Sequence, residues 1–429
     1  ARVPTERSLA YWQRVKWVEG LVLLAATPIL LFPERFILLT FLFLILLAGL
    51  WIAPFLFVRS PLIPPTPLNA ALLVFCLAVF VSILVTADPD LTLPKATGII
   101  LGLGVWRFLV LAVRQRSQVG WAVSGYVFLG LGIVTFGLLN ADWAAKAASR
   151  VPVLGMLLSQ SGTATSFVPG GSGVHLNQVA GTITLVFPLL VALLIESISS
   201  GQSRRRIIRW AIGLATIFCG VARLLTQSRS GWAGVSGGVL ILLVMWVLTM
   251  EPSKHRRQVR IGTALLVTLS LLLLVASGPQ RIQQLWLDPP QETAVGSLST
   301  LNFRQELWPW AIQAITDFPF SGMGLGAFRQ AARRLYPISV SAEFDIAHAH
   351  NVFLQAALDV GIPGLIAYAA LLLVSIAVVW QLAREEQPLR AIGIGLLASL
   401  AAFHIYGLAD TLALGSKPAV LLWAIYGLL

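Results

Sequence analysis

The chain has 429 residues, of which 57% are hydrophobic and only 11% charged, with a mean hydropathy of +0.83. A soluble domain carries about 25% charged residues, so this composition excludes an ordinary water-facing surface, and the continuous apolar runs exclude a barrel of ~10-residue alternating strands. The net charge of +12, from 30 basic and 18 acidic side chains, would point to nucleic acid in a soluble protein; in a membrane protein it first asks which side the charges occupy, and no nucleic-acid partner is expected.

Windows of about 20 residues predict an all-α polytopic protein of about twelve transmembrane helices. The spans lie near 17–32, 36–57, 70–86, 96–113, 120–139, 179–198, 207–225, 231–250, 261–277, 361–382, 391–409 and 416–429. The basic residues sort between alternate loops. With a cytoplasmic N-terminus, the inner segments hold Arg2, Arg7, Arg14, Lys16, Arg59, Arg114, Arg116, Arg204, Arg205, Arg206, Arg209, Lys254, Arg256, Arg257, Arg260, Arg384 and Arg390, which is 17 of the 30. The positive-inside rule then places both termini in the cytoplasm. Cys76 and Cys219 lie inside apolar runs, which argues against a disulfide framework or a cysteine metal site.

Two outer segments are long, 140–178 and 278–360. The chain therefore divides into nine spans (1–277), a large external loop (278–360) and three spans (361–429). A loop of that size is functional or disordered, and this one is not low-complexity. Asn302 to Phe318 sets Leu307, Trp308, Ala311, Ile312 and Ile315 on one helical face despite Pro309, an amphipathic helix for the membrane surface or a cavity. A Gly-rich turn, Asp317 to Phe328, and a second short helix around Arg329 to Tyr336 follow.

The loop ends at His348 and His350, ahead of an apolar helix broken at Gly361-Ile362-Pro363-Gly364, which reads as a partly re-entrant element. A His-x-His pair is a metal half-site in some proteins, but no cysteine or nearby third histidine supports one here.

His350-Asn351 followed by the Gly361–Gly364 break resembles the His-Asn…Gly-x-x-Gly signature of bacterial O-antigen ligases, in a domain shared with O-antigen polymerases. Thr226 to Trp232 resembles the family's Ser-Arg-small-Gly-Trp turn. Phe303-Arg304 with Trp308, then Pro319, Gly322, Gly324 and Phe328, resembles its Arg-led helix and Gly-rich turn, and His175-Leu176-Asn177 its Asn-containing span start. The resemblance covers roughly 165–429. It implies a GT-C-like glycosyltransferase of the bacterial inner membrane that moves a glycan from undecaprenyl pyrophosphate to an acceptor hydroxyl on the periplasmic face. The acceptor it implies is lipid A–core or another glycan.

The residue types suit that chemistry. A sugar hydroxyl needs a base, and histidine titrates at about 6.5 in model compounds; a pyrophosphate leaving group needs fixed cations, for which arginine supplies bidentate donors. The assignment expected is His350 as base with Arg229 and Arg304 on the pyrophosphate, and with no cofactor or metal. Each has a plainer reading: Arg229 as a helix cap or headgroup-seeking side chain, Arg304 as a solvated helix start. A second tier holds Arg223, an intramembrane charge, with His348, Asn351, Asn177, His175 and Arg329. Arg329, Arg333 and Arg334 form a basic cluster that is equally a solvated face. Arg107 is expected to snorkel toward the cytoplasmic interface. His404, Tyr406 and Asp410 are either a packing group or cavity-lining. The competing readings are a polymerase of the same superfamily and a bicarbonate-type transporter, to which the large loop is superfluous.

Overall fold

The computed structural model describes residues 6–58, 63–141, 174–199, 206–249, 261–262, 301–338, 345–385 and 389–429. The expected ninth span, beyond its first two residues, and most of the 140–178 segment lie outside the described residues. The architecture is all-α. Helices α1 (Glu6–Leu31), α2 (Ile37–Val58), α3 (Asn69–Val85), α4 (Pro89–Ala112) and α5 (Arg116–Leu139) are followed by α6 (Leu176–Ser199), α7 (Arg206–Thr226) and α8 (Arg229–Thr249). Helices α9 (Leu301–Asp317) and α10 (Phe328–Leu335) form the large loop. Helices α11 (Val352–Leu382), α12 (Leu389–Gly407) and α13 (Val420–Leu428) close the chain. Eight of these, α2, α4 to α8, α11 and α12, are long and apolar enough to cross a bilayer, and α3 and the Lys417–Leu428 segment are shorter apolar helices. This is a multi-pass membrane protein.

Apolar burial alone does not hold helices together in lipid, where packing requires close approach of small residues. Helix α8 meets α12 through such a pairing. A Cβ at Gly234 would stand 2.6 Å from Ala402 O, and one at Gly238 2.7 Å from Ala398 O, so the small residues of the two helices oppose each other four apart. Nearer the start of α12, Gly395 sits against Leu189 and Ala192 of α6. Helices α6, α8 and α12 thus form a central trio, and exposed apolar side chains such as Ile198 of α6 and Leu248 of α8 face outward from it.

Arg107 does not snorkel. It is 4% exposed and paired with Glu19 of α1, which also accepts Trp51 Nε1 at 3.0 Å, and its guanidinium lies 5.8 Å from the Trp51 ring. A basic side chain in a span is retained where a partner neutralises it, and the acidic partner here sits 88 residues away.

Helix α11 is broken at Gly361 as expected: two helical stretches continue one another across a kink at φ 71°, ψ 178°. Pro363 has no N–H for Asp359 O, and the kink separates Ile362 N from Leu358 O. All three orphaned groups are satisfied from elsewhere. Ser82 Oγ of α3 donates to Asp359 O, Met323 N donates to Leu358 O at 2.7 Å, and Ile362 N donates to Pro319 O at 2.7 Å. The Gly-rich turn is thereby fixed on the kink. A Cβ at Gly361 would collide with Phe320 O, and one at Gly322 (φ 66°) would stand 2.6 Å from Leu358 O.

The buried stripe of α9 differs from the expected face. Phe303, Arg304, Leu307, Ala311 and Ala314 point inward, whereas Ile312 is 55% exposed. The alanines let α9 lie close on α11, and that proximity outweighs the larger side chain of Ile312.

A candidate active site at one end of the bundle

The site forms where the starts of α6, α8, α9 and α11 meet the segment after α12. Its centre is built by the two residues before α11. Asn351 is the N-cap: its Oδ1 accepts from Phe353 N at 2.9 Å and Leu354 N at 3.0 Å, while its Nδ2 donates to Leu408 O at 3.1 Å. Trp308 Nε1 donates to Ala349 O at 3.0 Å, and Ala349 N donates to Gln355 Oε1 at 2.8 Å. Held on both sides, His350 adopts φ 51°, a left-handed conformation that costs a non-glycine residue about 1–3 kcal/mol and that functional sites tend to store.

That conformation turns the imidazole toward Asp410, beyond the end of α12. His350 Nδ1 lies 3.4 Å from Asp410 Oδ1, and His348 Nε2 lies 3.9 Å from the same oxygen. The two rings pack edge to face at 4.2 Å between centroids, and Phe303 meets His350 edge-on at 5.5 Å. Asp410 is almost wholly buried and well supplied with donors: Asn177 Nδ2 to Oδ2 at 2.7 Å and Thr411 N to Oδ1 at 2.9 Å. Tyr406 Oη donates to Asn177 O at 2.9 Å, which fixes the start of α6 against α12.

Burial alone would raise the Asp410 carboxyl, but the His350 and His348 imidazoles and the Thr411 N–H outweigh it and hold the pKa below the usual carboxylate range. Burial lowers His348 to about 3; His350 adds to that fall, Asp410 opposes it, and Lys95 and His175 contribute further repulsion. His348 is therefore neutral at ordinary pH beside an ionised Asp410.

Arg304 is 8% exposed and donates Nη2 to Ala409 O, next to Asp410. Burial lowers its pKa, Asp410 and Tyr406 pull the other way, and Arg229 adds repulsion, so two guanidinium groups share one neighbourhood with the buried carboxylate. Arg229 is exposed at the first position of α8, after a turn in which Gln227 takes φ 49°. Two arginines, beside the amino end of α11 with its positive helix dipole, make this an electropositive corner suited to an anion.

The remaining expected residues distribute as follows. Asn177 and His348 join the centre, and exposed His175 accepts Asn177 N at 3.2 Å on its edge. Arg223 lies apart, stacked on Trp232 at 3.7 Å. Arg329 is turned outward in a bidentate pair with Asp345, at 2.7 and 2.5 Å, and Arg334 donates to Gln330 at 3.1 Å. The His404–Tyr406–Asp410 group divides: His404 Nε2 meets Tyr368 Oη at 2.8 Å inside the bundle, while Tyr406 and Asp410 face the site. An apolar cavity of about 260 Å³ beside His404, running from Ile241 to Leu408 and Phe353, suits a hydrocarbon chain and offers a sugar nothing to bond. Asp410 is the residue the sequence leaves unassigned; an ionisable group directly after an apolar span is the signal that singles it out.

His348, His350 and Asp410 offer three ligand atoms within 4.8 Å of one another, a two-nitrogen, one-oxygen set of the kind that holds a divalent transition metal.

Residues 214–369 match a family model described as O-antigen ligase. No curated protein matches the chain. The match takes in Arg223, Arg229, Arg304, His348 and His350 and stops short of Asn177 and Asp410, which complete the same corner from outside it. Over residues 214–369, this multi-pass membrane protein is therefore similar to the O-antigen ligase family.

Proposed function

We propose that the protein is an O-antigen-ligase-like glycosyltransferase of the bacterial inner membrane. It transfers a glycan from undecaprenyl pyrophosphate to an acceptor hydroxyl, on lipid A–core or a related glycan, at the periplasmic face. The observation that supports this most directly is the meeting of His350, Asp410 and Arg304 at one corner, with Arg229 close enough to repel Arg304.

In this reading Asp410 keeps the Nδ1 side of the His350 ring protonated, which leaves Nε2 to accept a proton. The acceptor oxygen attacks the anomeric carbon and its proton passes to His350. The bond from that carbon to the phosphate oxygen breaks, and its electron pair leaves on undecaprenyl pyrophosphate. Arg229 and Arg304 meet the charge that grows there, and a buried guanidinium acts more strongly than one in water. The basic residues at the opposite end of the bundle support the orientation. Arg116 pairs with Glu385 at 2.9 Å, and Arg390 and Arg209 cap Thr249 O and Ser197 O at 3.0 and 2.6 Å.

The test is transfer by the purified protein in lipid nanodiscs, with an undecaprenyl-pyrophosphate-linked glycan and a panel of acceptors, comparing wild type with His350→Ala. Transfer that is lost in the variant supports the assignment. Equal rates would remove His350 from the mechanism, and no transfer accompanied by bicarbonate flux in vesicles would overturn the enzyme reading.

A second reading rests on the ligand geometry of His348, His350 and Asp410. A metal held there would replace the base by a Lewis acid. Chelation followed by metal add-back separates the two.

A further inference from the structure

Arg223 occupies the last turn of α7 and is 7% exposed. Its Nε and Nη2 are buried without a hydrogen-bond partner, and no carboxylate pairs with it among the described residues. A guanidinium stays protonated and carries five N–H donors, so leaving it buried without a counter-anion is costly. What it does meet is neutral. The face of the Trp232 ring lies 3.7 Å from its central carbon, which fixes the plane of the guanidinium and leaves its edge donors free to bond.

Trp232 belongs to α8, three residues after Arg229, on the same helical face and one turn further along the span. The ring is 43% exposed, so the stack is at the surface of the bundle and not sealed in its core. Arg304 sits beside Asp410, Arg229 adds repulsion to it from the start of α8, and Arg223 meets α8 one turn further along, within the membrane-spanning part of the chain. In a polyprenyl pyrophosphate the two phosphates are ordered the same way: one carries the sugar, and the other carries the hydrocarbon and lies nearer the bilayer.

We propose that Arg223, oriented by Trp232, is a third phosphate-binding residue that takes the lipid-side phosphate of a polyprenyl pyrophosphate, while Arg229 and Arg304 hold the sugar-side phosphate. This rests on the donor reading above. A bulk phospholipid headgroup presents the same phosphate chemistry, and the two sources are separable.

The experiment measures retention of undecaprenyl pyrophosphate, undecaprenyl phosphate and phosphatidylglycerol by the full chain in phosphatidylcholine nanodiscs, using native mass spectrometry. Arg223→Gln is expected to weaken undecaprenyl pyrophosphate binding about tenfold or more, in keeping with a lost charge-assisted bond, and to leave phosphatidylglycerol retention unchanged. Arg223→Lys recovers part of the loss, and Trp232→Ala lowers affinity in the same direction. Because the glutamine removes an uncompensated buried charge, the ligand-free variant melts no lower than wild type. A clearly lower melt would make Arg223 structural and overturn the proposal. So would undiminished pyrophosphate binding in Arg223→Gln, or parallel loss of phosphatidylglycerol, which would mark a headgroup site. Binding that depends on Arg304 but not on Arg223 overturns this inference alone, whereas wild type that fails to bind undecaprenyl pyrophosphate removes the donor reading with it.

Discussion

Asn177 donates to Asp410 at 2.7 Å across 233 residues of chain, and the carboxylate it holds faces His350 Nδ1 at 3.4 Å. The bond does two things at once: it stitches the start of α6 to the segment after α12, and by holding Oδ2 it sets the carboxylate so that Oδ1 faces His350. Asp410→Asn keeps the shape and removes the charge. If Asp410 sets the tautomer of the base, transfer falls by about 10²- to 10⁴-fold, the range general base catalysis contributes, with the fold intact by circular dichroism. A mutant within threefold of wild type would show that Asp410 only packs. Asn177→Ala leaves Asp410 one donor short and is expected to lower both melting temperature and rate, by about 1–3 kcal/mol of lost hydrogen bonding.

Metal chemistry and base chemistry separate on one titration. If His350 acts as a base, exhaustive chelation leaves transfer unchanged and added zinc or manganese does not stimulate it. If the three ligand atoms within 4.8 Å hold an ion, chelation abolishes transfer and one metal restores it.

His348 connects the site to acid stability. Its folded pKa is lowered to about 3, against about 6.5 in an unfolded chain. Between those values the unfolded chain binds a proton that the folded one refuses, so stability is full above about pH 6.5 and falls as the pH drops toward about 3. His348→Gln should flatten that fall between pH 6 and 4 in thermal melts. An unchanged profile would assign the acid sensitivity to other groups.

The kink in α11 gives a test of architecture independent of chemistry. Gly361→Ala meets Phe320 O and a backbone at φ 71°, and Ser82→Ala strips the donor from Asp359 O. The serine change leaves a buried carbonyl unsatisfied, at about 1–3 kcal/mol. The glycine change adds steric strain and should cost more. Both should loosen the 319–327 turn, read as faster limited proteolysis within it.

The pair Arg107–Glu19 predicts a double-mutant signature. Glu19→Ala alone strands a buried guanidinium, at about 3–5 kcal/mol, whereas Glu19→Leu with Arg107→Met should recover most of the loss. Additive losses in the double mutant would show that the two residues are not coupled.

Much of the bundle was legible in the sequence because lipid imposes a simple length and hydropathy rule. Helices stand at every expected span position that falls among the described residues. The loop helices were legible too, as α9 and α10 lie within a residue or two of the expected bounds. Pairings were not legible. Nothing in the local pattern links Glu19 to Arg107 or Asn177 to Asp410, since these contacts follow from which helices become neighbours. The α9 face was misjudged for a related reason: hydropathy favours Ile312, but a close helix crossing selects Ala311 and Ala314 for their small size. At the site, the Arg and His motifs stood out as charges within an apolar chain, while Asp410 stood in a polar group with two uses, and only its place directly after an apolar span set it apart.

The kink at Gly361 has a consequence for biogenesis. Its three orphaned backbone groups are satisfied by Ser82, Pro319 and Met323, two of them from a loop that, in the orientation proposed above, must first cross the membrane. Until that loop has been exported and has settled, α11 lies in the bilayer with bare carbonyls and an unmet N–H, in a solvent that offers no substitute. Insertion of this helix is thus an unfinished step that export of the preceding loop completes. A chain stalled before that point would be one the cell's membrane quality control could recognise by its exposed polar backbone.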